Sequence, residues 1–379
     1  MDTEFHERRR RMSGGTPSKA KKNMRTRHLS LFGVLGAAAV NLAFAQPTPT
    51  SASATLATVS ENKLCTKGIL PFYWEIGDGT GTLLSGSQGV NAQGSPVLAT
   101  TKMNVASSAK WLYSAYVVQT RGSAANITAE DINFLHMTSG YTNLGNNEDP
   151  SGTCPGKGTT DTVNACLLRD NPANGLPYSY QNPETIGFFD YDGGHFENHA
   201  SLYTTLGTTP DADLGPILIG SLAPGSTPFI YTEPLLAGGI NTTAGVFAVI
   251  LQHIVDGSLY MNQALGIDPV CTEASATCQA LNSPIPEAWH YSIGHWVEDD
   301  PAYNGDGAFS APGGEGFYPW VDASKAYYGL IARAETGPQK AGFQSVQCGR
   351  LLRAAWDTGV QQTGTIPKLG PARAETGTR

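Results

Sequence analysis

Ser107 and Lys110 stand three residues apart in the run Asn104-Val105-Ala106-Ser107-Ser108-Ala109-Lys110-Trp111-Leu112-Tyr113. Positions i and i+3 of an α-helix share a face about one turn apart, so a hydroxyl and an amine placed this way can converge on one point. A serine beside an amine that takes its proton is the arrangement of an activated nucleophile. Spacing alone does not select this pair, because Ser-x-x-Lys also occurs at Ser18 to Lys21 and at Ser60 to Lys63. Residues 46–64 are rich in Ala, Ser, Thr and Pro and read as a flexible leader linker, which could not hold a catalytic pair in register. A lysine near a helix N-terminus opposes the helix dipole, so Lys110 needs a reason. A lysine solvated on the helix surface is the plain alternative.

The elements that must position this pair can be read around it. Ile69 to Ile76 is aromatic and β-branched between glycines and predicts a strand, and Pro96 to Thr100 predicts a second. Trp111, Leu112, Ala115 and Val118 form the apolar stripe of the helix that follows Ser107. Thr128 reads as a helix N-cap, and Thr242 or Thr243 as the cap of a helix over Ala244–Val255. His290 to Val297 alternates as one strand, which places His290 and His295 on opposite faces. Segments 313–321 and 326–332 predict a hairpin, and a helix from about Gly342 to Trp356 closes the domain. Glu197, Glu298 and Asp299 read as surface charges. Strands at both ends with helices inserted between them predict an α+β fold. It would be an antiparallel sheet flanked by helices in a domain over 65–358, with a helical subdomain over roughly 120–285.

The chain has 379 residues, of which 40% are hydrophobic and 15% charged, enough for a large core. From Met24 a basic stretch, an apolar run and Ala43-Phe44-Ala45 read as a signal peptide over 24–45, and residues 1–23 as a basic extension upstream of it. The expected location is the periplasm or the exterior; a membrane anchor is the alternative, although the apolar run is short for a bilayer span. Residues 46–379 then carry a net charge of about −14. Nucleic acid and anionic membrane are poor partners for such a surface. Six cysteines fit three disulfides in an oxidising compartment. Proximity favours Cys154 with Cys166 and Cys271 with Cys278, leaving Cys65 for Cys348. No Cys-x-x-Cys or Cys/His cluster points to a metal. The hexamer Ala-Arg-Ala-Glu-Thr-Gly at 332–337 recurs at 372–377 without a physical account, and 359–379 reads as a mobile tail.

Four segments taken together resemble the serine hydrolases of the penicillin-binding-protein and class C β-lactamase-like superfamily. They are Ser107-Ser108-Ala109-Lys110, the Leu135 to Gly140 segment ending in Thr138-Ser139-Gly140, Tyr191 before a helix, and Gly238-Gly239-Ile240-Asn241-Thr242-Thr243. The resemblance covers roughly residues 66–358. It implies an α/β sandwich of the β-lactamase/transpeptidase-like type, with Ser107 as the acylated nucleophile and Lys110 as its proton-transfer partner. Tyr191 would be the second member of the base pair, ionised or nearly so beside the ammonium, since an unperturbed phenol near pKa 10 is no base at neutral pH. The N–H groups of Ser107 and Gly313 would form the oxyanion hole. No cofactor is implied.

Two departures narrow the substrate. Where the family carries a basic residue on the strand lining the site, this chain has Ser310-Ala311-Pro312, so no cation awaits a substrate carboxylate. Where the family has Tyr-x-Asn, this chain has Tyr191-Asp192-Gly193, with His195 as a candidate replacement for the amide. Ser310, His195 and Gly314 are thus the candidate substrate-pocket residues. The resulting expectation is an exported hydrolase acting on a small-molecule ester, or an amide, with an uncharged end. A β-lactamase or D-amino-acid peptidase is one alternative, and a catalytically silent protein that binds cell-wall or polymer fragments is another.

Overall fold

Phe72 to Asp78 has no exposed face: every residue is buried, as a central strand covered on both sides requires. The computed structural model describes residues 48–144, 161–335 and 341–365. In chain order the elements begin with helices α1 (Pro49–Glu61) and α2 (Lys63–Thr66), the hairpin β1 (Phe72–Asp78) and β2 (Gly81–Gln88), strand β3 (Lys102–Asn104) and helix α3 (Ala109–Arg121). Helices α4 (Ala129–Leu135) and α5 (Val163–Leu167), the short β4 (Phe189–Asp190), α6 (Gly194–Tyr203) and α7 (Asp211–Leu222) follow. Next come β5 (Phe229–Tyr231), β6 (Ile240–Thr243), α8 (Ala244–Val255) and α9 (Met261–Ala264). The last part holds β7 (Val270–Cys271), β8 (Ala280–Asn282), β9 (His290–Tyr291), β10 (Trp296–Glu298), β11 (Ala308–Ser310), β12 (Tyr318–Val321), β13 (Tyr327–Ala332) and α10 (Ala341–Thr358).

Eight strands form one sheet in the order β2-β1-β13-β12-β11-β10-β9-β7. Every pairing in it is antiparallel, so the expected α+β architecture is what forms. The chain's first and last strands, β1 and β13, lie side by side just inside the β2 edge, with Trp74 opposite Ile331. Helix α8 packs on β1 and β13, and α10 on β13 and β12. Helix α8 is apolar over most of its surface and is capped by Thr243, whose side chain accepts from the Val246 N–H. Thr128 caps α4 through a reciprocal box with Asp131. A second, three-stranded sheet, β3-β6-β5, lies at the start of α3.

Four expectations are corrected. Residues 49–61 are not a flexible linker but helix α1, packed on α10. Ser60 is exposed there and bonds back to Leu56 O, so that copy of the motif fails because its serine faces solvent. Residues 96–100 form a turn, and the strand is the shorter β3 beyond it. His290 to Val297 is two strands, β9 and β10, joined by a turn at residues 292–295, so parity could not place its histidines. The first residues of the expected tail are tied down: Asn62 donates to Gln362 O and Gly364 O at 2.8 and 2.9 Å.

Glu298 is also corrected, from surface charge to core. It is fully buried on β10 and accepts from Arg350 at 2.9 Å and Arg353 at 2.8 Å, both on α10, and from the Tyr318 hydroxyl at 2.6 Å. Burial pushes its carboxyl upward, but the two guanidinium groups outweigh that and hold it down to about 2. Asp299 is the partly exposed partner of His290, at 2.8 Å.

The Cys65–Cys348 and Cys271–Cys278 disulfides form as expected. The Cys154–Cys166 pairing, the signal peptide, the basic extension and the end of the tail fall on or include residues outside those described. Among the described residues no helix is long and apolar enough to cross a membrane.

Candidate active site

The serine is delivered by a strained turn. Between β3 and α3 the chain makes a 3-10 turn over Ala106–Ser108, and Ala106 enters it at φ 46°, in the left-handed region. For an alanine that conformation costs on the order of 1 kcal/mol and is held only where neighbours fix it. Here Asn104 does so: its Oδ1 accepts the Ala106 N–H at 3.1 Å while its Nδ2 donates to Glu315 Oε1 at 3.0 Å. Ser108 faces inward and donates to Ala311 O at 2.6 Å, fastening the turn to the end of β11. Gly313 packs directly on Val105 O, where a Cβ would collide. Ser107 is thereby left half-buried, with its N–H in the first turn, where such groups have no intrahelical acceptor.

Lys110 and Tyr191 both reach it. Lys110 Nζ donates to Ser107 Oγ at 3.0 Å and to Ala237 O at 3.1 Å, from a side chain only 4% exposed. The ammonium lies 4.9 Å from the centre of the Tyr191 ring. The Tyr191 hydroxyl lies beside the side chains of Ser107 and Trp296, and its ring stacks on Trp296 at 5.4 Å.

The electrostatics correct the expected charge state. Burial pushes Lys110 down to about 8, against the upward pull of Glu197 and Asp192. Burial pushes Tyr191 up to about 12, against the downward pull of the polar Ser107 and Trp296 side chains beside it. The phenol therefore keeps its proton at neutral pH, and the amine is the group that can lose one. A partly neutral amine 3.0 Å from a serine hydroxyl is arranged to take its proton.

The other expected site residues are placed differently. His195 is fully buried, with Nδ1 2.6 Å from Ser139 Oγ and Nε2 3.0 Å from Asp190 O, and burial pushes it down to about 3. It braces α6 against the Thr138-Ser139-Gly140 segment and is not a surface for substrate. Ser310 is likewise fully buried; its Oγ lies beside Glu298 without good hydrogen-bond geometry to any described residue. The Gly313 N–H is committed to Phe317 O at 2.7 Å, so it is not a free oxyanion donor. Gly314, next in the turn and half-buried, donates its N–H to no acceptor among the described residues. His295 stacks on Trp111 and accepts from the Gly266 N–H, so it is a packing residue.

Four contributors escaped the sequence. Trp296 holds the tyrosine, the Ala237 carbonyl holds the lysine, Asn104 holds the turn, and Glu197, expected on the surface, is fully buried near Lys110. Only Asn104 left a local signal, a side chain able to form a turn just before the helix. Among the described residues no group of three or more His, Cys, Asp or Glu side chains could hold a metal ion.

No protein-family model matches the sequence, and no curated protein matches it. Solved structures do. EstCE1, described as a hydrolase with promiscuous acyltransferase activity, aligns over 81% of this chain and 98% of its own, at 10% identity and TM-score 0.54. The LovD9 mutant of simvastatin synthase from Aspergillus terreus aligns over 82% and 98%, at 13% identity and TM-score 0.50. The octameric penicillin-binding protein homologue from Pyrococcus abyssi aligns over 76% and 74%, at 10% identity and TM-score 0.50. The chain thus shares its overall α+β fold with these three structures.

Proposed function

We propose that the protein is an exported serine hydrolase that cleaves small esters, and amides more slowly, through an acyl-enzyme on Ser107. The observation that carries this reading is the convergence of Lys110 Nζ, at 3.0 Å, and the Tyr191 hydroxyl on Ser107. In acylation the neutral Lys110 amine takes the Ser107 proton as Oγ bonds to the acyl carbon. The Tyr191 O–H gives its proton to the departing alcohol oxygen, and the Lys110 ammonium restores it, leaving the amine neutral. Deacylation runs the same transfers in reverse: water loses its proton to this pair, bonds to the acyl carbon, and Ser107 Oγ leaves with a proton. The N–H groups of Ser107 and Gly314 are the candidate oxyanion donors.

An uncharged acyl end is supported by Ser310, which stands where a strand cation would hold a carboxylate and is itself buried. Export is supported by the signal pattern over 24–45 and by the two disulfides. The test is labelling with a fluorophosphonate probe, with intact mass and location of the modified peptide. The wild type becomes labelled on Ser107 and Ser107→Ala does not. Labelling of Ser107→Ala at an unchanged rate overturns the assignment. Turnover of short-chain p-nitrophenyl esters ahead of nitrocefin separates an esterase from a β-lactamase.

A further inference from the structure

Glu197 is a carboxylate in a place that ordinarily excludes one. It lies on α6 with no exposure, and an isolated charge there is costly unless something compensates it. Its Oε1 accepts the Ala237 N–H at 2.8 Å, and its Oε2 has no hydrogen-bond partner among the described residues. The same residue, Ala237, offers its carbonyl to Lys110 Nζ at 3.1 Å. One short segment is therefore gripped from two sides, by a carboxylate at its N–H and by the ammonium at its C=O. That segment is a tight turn, with the Gly238 and Gly239 N–H groups both bonded to Leu235 O.

The titratable groups facing Glu197 are Lys110 and Tyr113 from α3, Tyr231 from β5 and Glu233 from the loop after it. Those facing Lys110 are Glu197, Asp192, Tyr191 and the neutral His195. Of these groups Lys110 is the cation, and burial pushes the Glu197 carboxyl up to about 8, so near neutral pH it serves as a hydrogen-bond acceptor for Ala237 and not as a lasting counter-charge.

We propose that Glu197 is a positioning residue for Lys110: its side chain fixes the Ala237 segment whose carbonyl receives the Lys110 Nζ. The inference rests on Ser107 being the acylated nucleophile, with Lys110 as its base.

The experiment is the fluorophosphonate labelling rate together with the urea midpoint for the wild type, Glu197→Gln and Glu197→Asp, with Ser107→Ala as control. Glutamine keeps an acceptor within reach of the Ala237 N–H and is expected to rescue most of the rate. Aspartate withdraws the acceptor, and folded Glu197→Asp is expected to label about tenfold more slowly or worse. A purely structural role lowers the urea midpoint without separating the labelling rates of the two variants. A wild-type rate in Glu197→Asp overturns the proposal, as does a loss in folded Glu197→Gln as large as that in Glu197→Asp. If the glutamine variant does not fold, Glu197→Asp decides alone: a slowed rate at an unchanged urea midpoint supports the proposal, and a wild-type rate overturns it. Labelling that survives in Ser107→Ala refutes the acyl-enzyme reading instead, whatever Glu197 does.

Discussion

Replacing Lys110 by methionine exposes the energetic cost of burying the proposed base. Lys110 is 4% exposed and titrates at about 8 in the folded protein, against an ordinary 10.5. Because the folded value is the lower one, the unfolded chain holds this proton more tightly, and stability rises with pH between the two values. Below about pH 8 both states are protonated and the folded state carries the full cost, on the order of 3 kcal/mol at 1.36 kcal/mol per unit. Above 10.5 the cost is gone. Lys110→Met removes this dependence and forfeits two hydrogen bonds, those to Ser107 Oγ and Ala237 O, worth about 1 kcal/mol each. At pH 7 the variant is therefore expected to be more stable than the wild type by about 1 kcal/mol, while losing acylation. Near pH 10 the order reverses, because the lost bonds remain and the lysine cost has fallen to about 0.8 kcal/mol. Urea unfolding of both proteins at pH 7, 8, 9 and 10 measures this. A stability difference that stays constant over that range, or moves in the wild type's favour as pH falls, refutes the account of Lys110 as a buried, partly neutral amine.

Gly313→Ala places a methyl against Val105 O and Ser108 Oγ, which is expected to destabilise the protein by about 1–3 kcal/mol. The displaced turn should slow fluorophosphonate labelling by roughly tenfold or more, and a wild-type rate would show that this contact does not position Ser107. Glu298→Gln leaves Arg350 and Arg353 without their shared anion in the core, with an expected loss of about 3–5 kcal/mol in urea unfolding at pH 7. The loss narrows as pH falls from the ordinary carboxyl range toward 2, since the stabilisation from a depressed carboxyl is itself lost there. A loss that is the same at pH 3 and pH 7 contradicts that reading.

The parts of the fold legible in the sequence were those with local causes. The apolar stripe after Ser107, the Thr128 and Thr243 caps and the hairpin of β12 and β13 each follow from residues within one or two turns of one another. The order of Ser107, Lys110 and Tyr191 was legible through a resemblance. Charge was the property read worst. Glu197 and Glu298 look like surface residues because their compensating partners, the Ala237 N–H and Arg350 with Arg353, lie far along the chain. The Tyr191 phenolate failed for a related reason: a nearby ammonium argues for ionisation, but the depth that brings the two together penalises the phenolate more. Residues 49–61 were misread because Ala, Ser and Thr suit a linker as well as a helix, and only the face of α10 decides between them.

The clamp between the first and last described segments also determines how the domain can be handled. Asn62 grips Gln362 and Gly364, Thr58 accepts the Gln362 N–H, and Cys65 is bonded to Cys348. Thr48 caps one end of α1 and the segment ending at Thr365 meets the other, so the two described ends are separated by the length of that helix, roughly 20 Å at 1.5 Å per residue. Joining them takes a linker long enough to run along α1, with the chain opened at an exposed turn elsewhere.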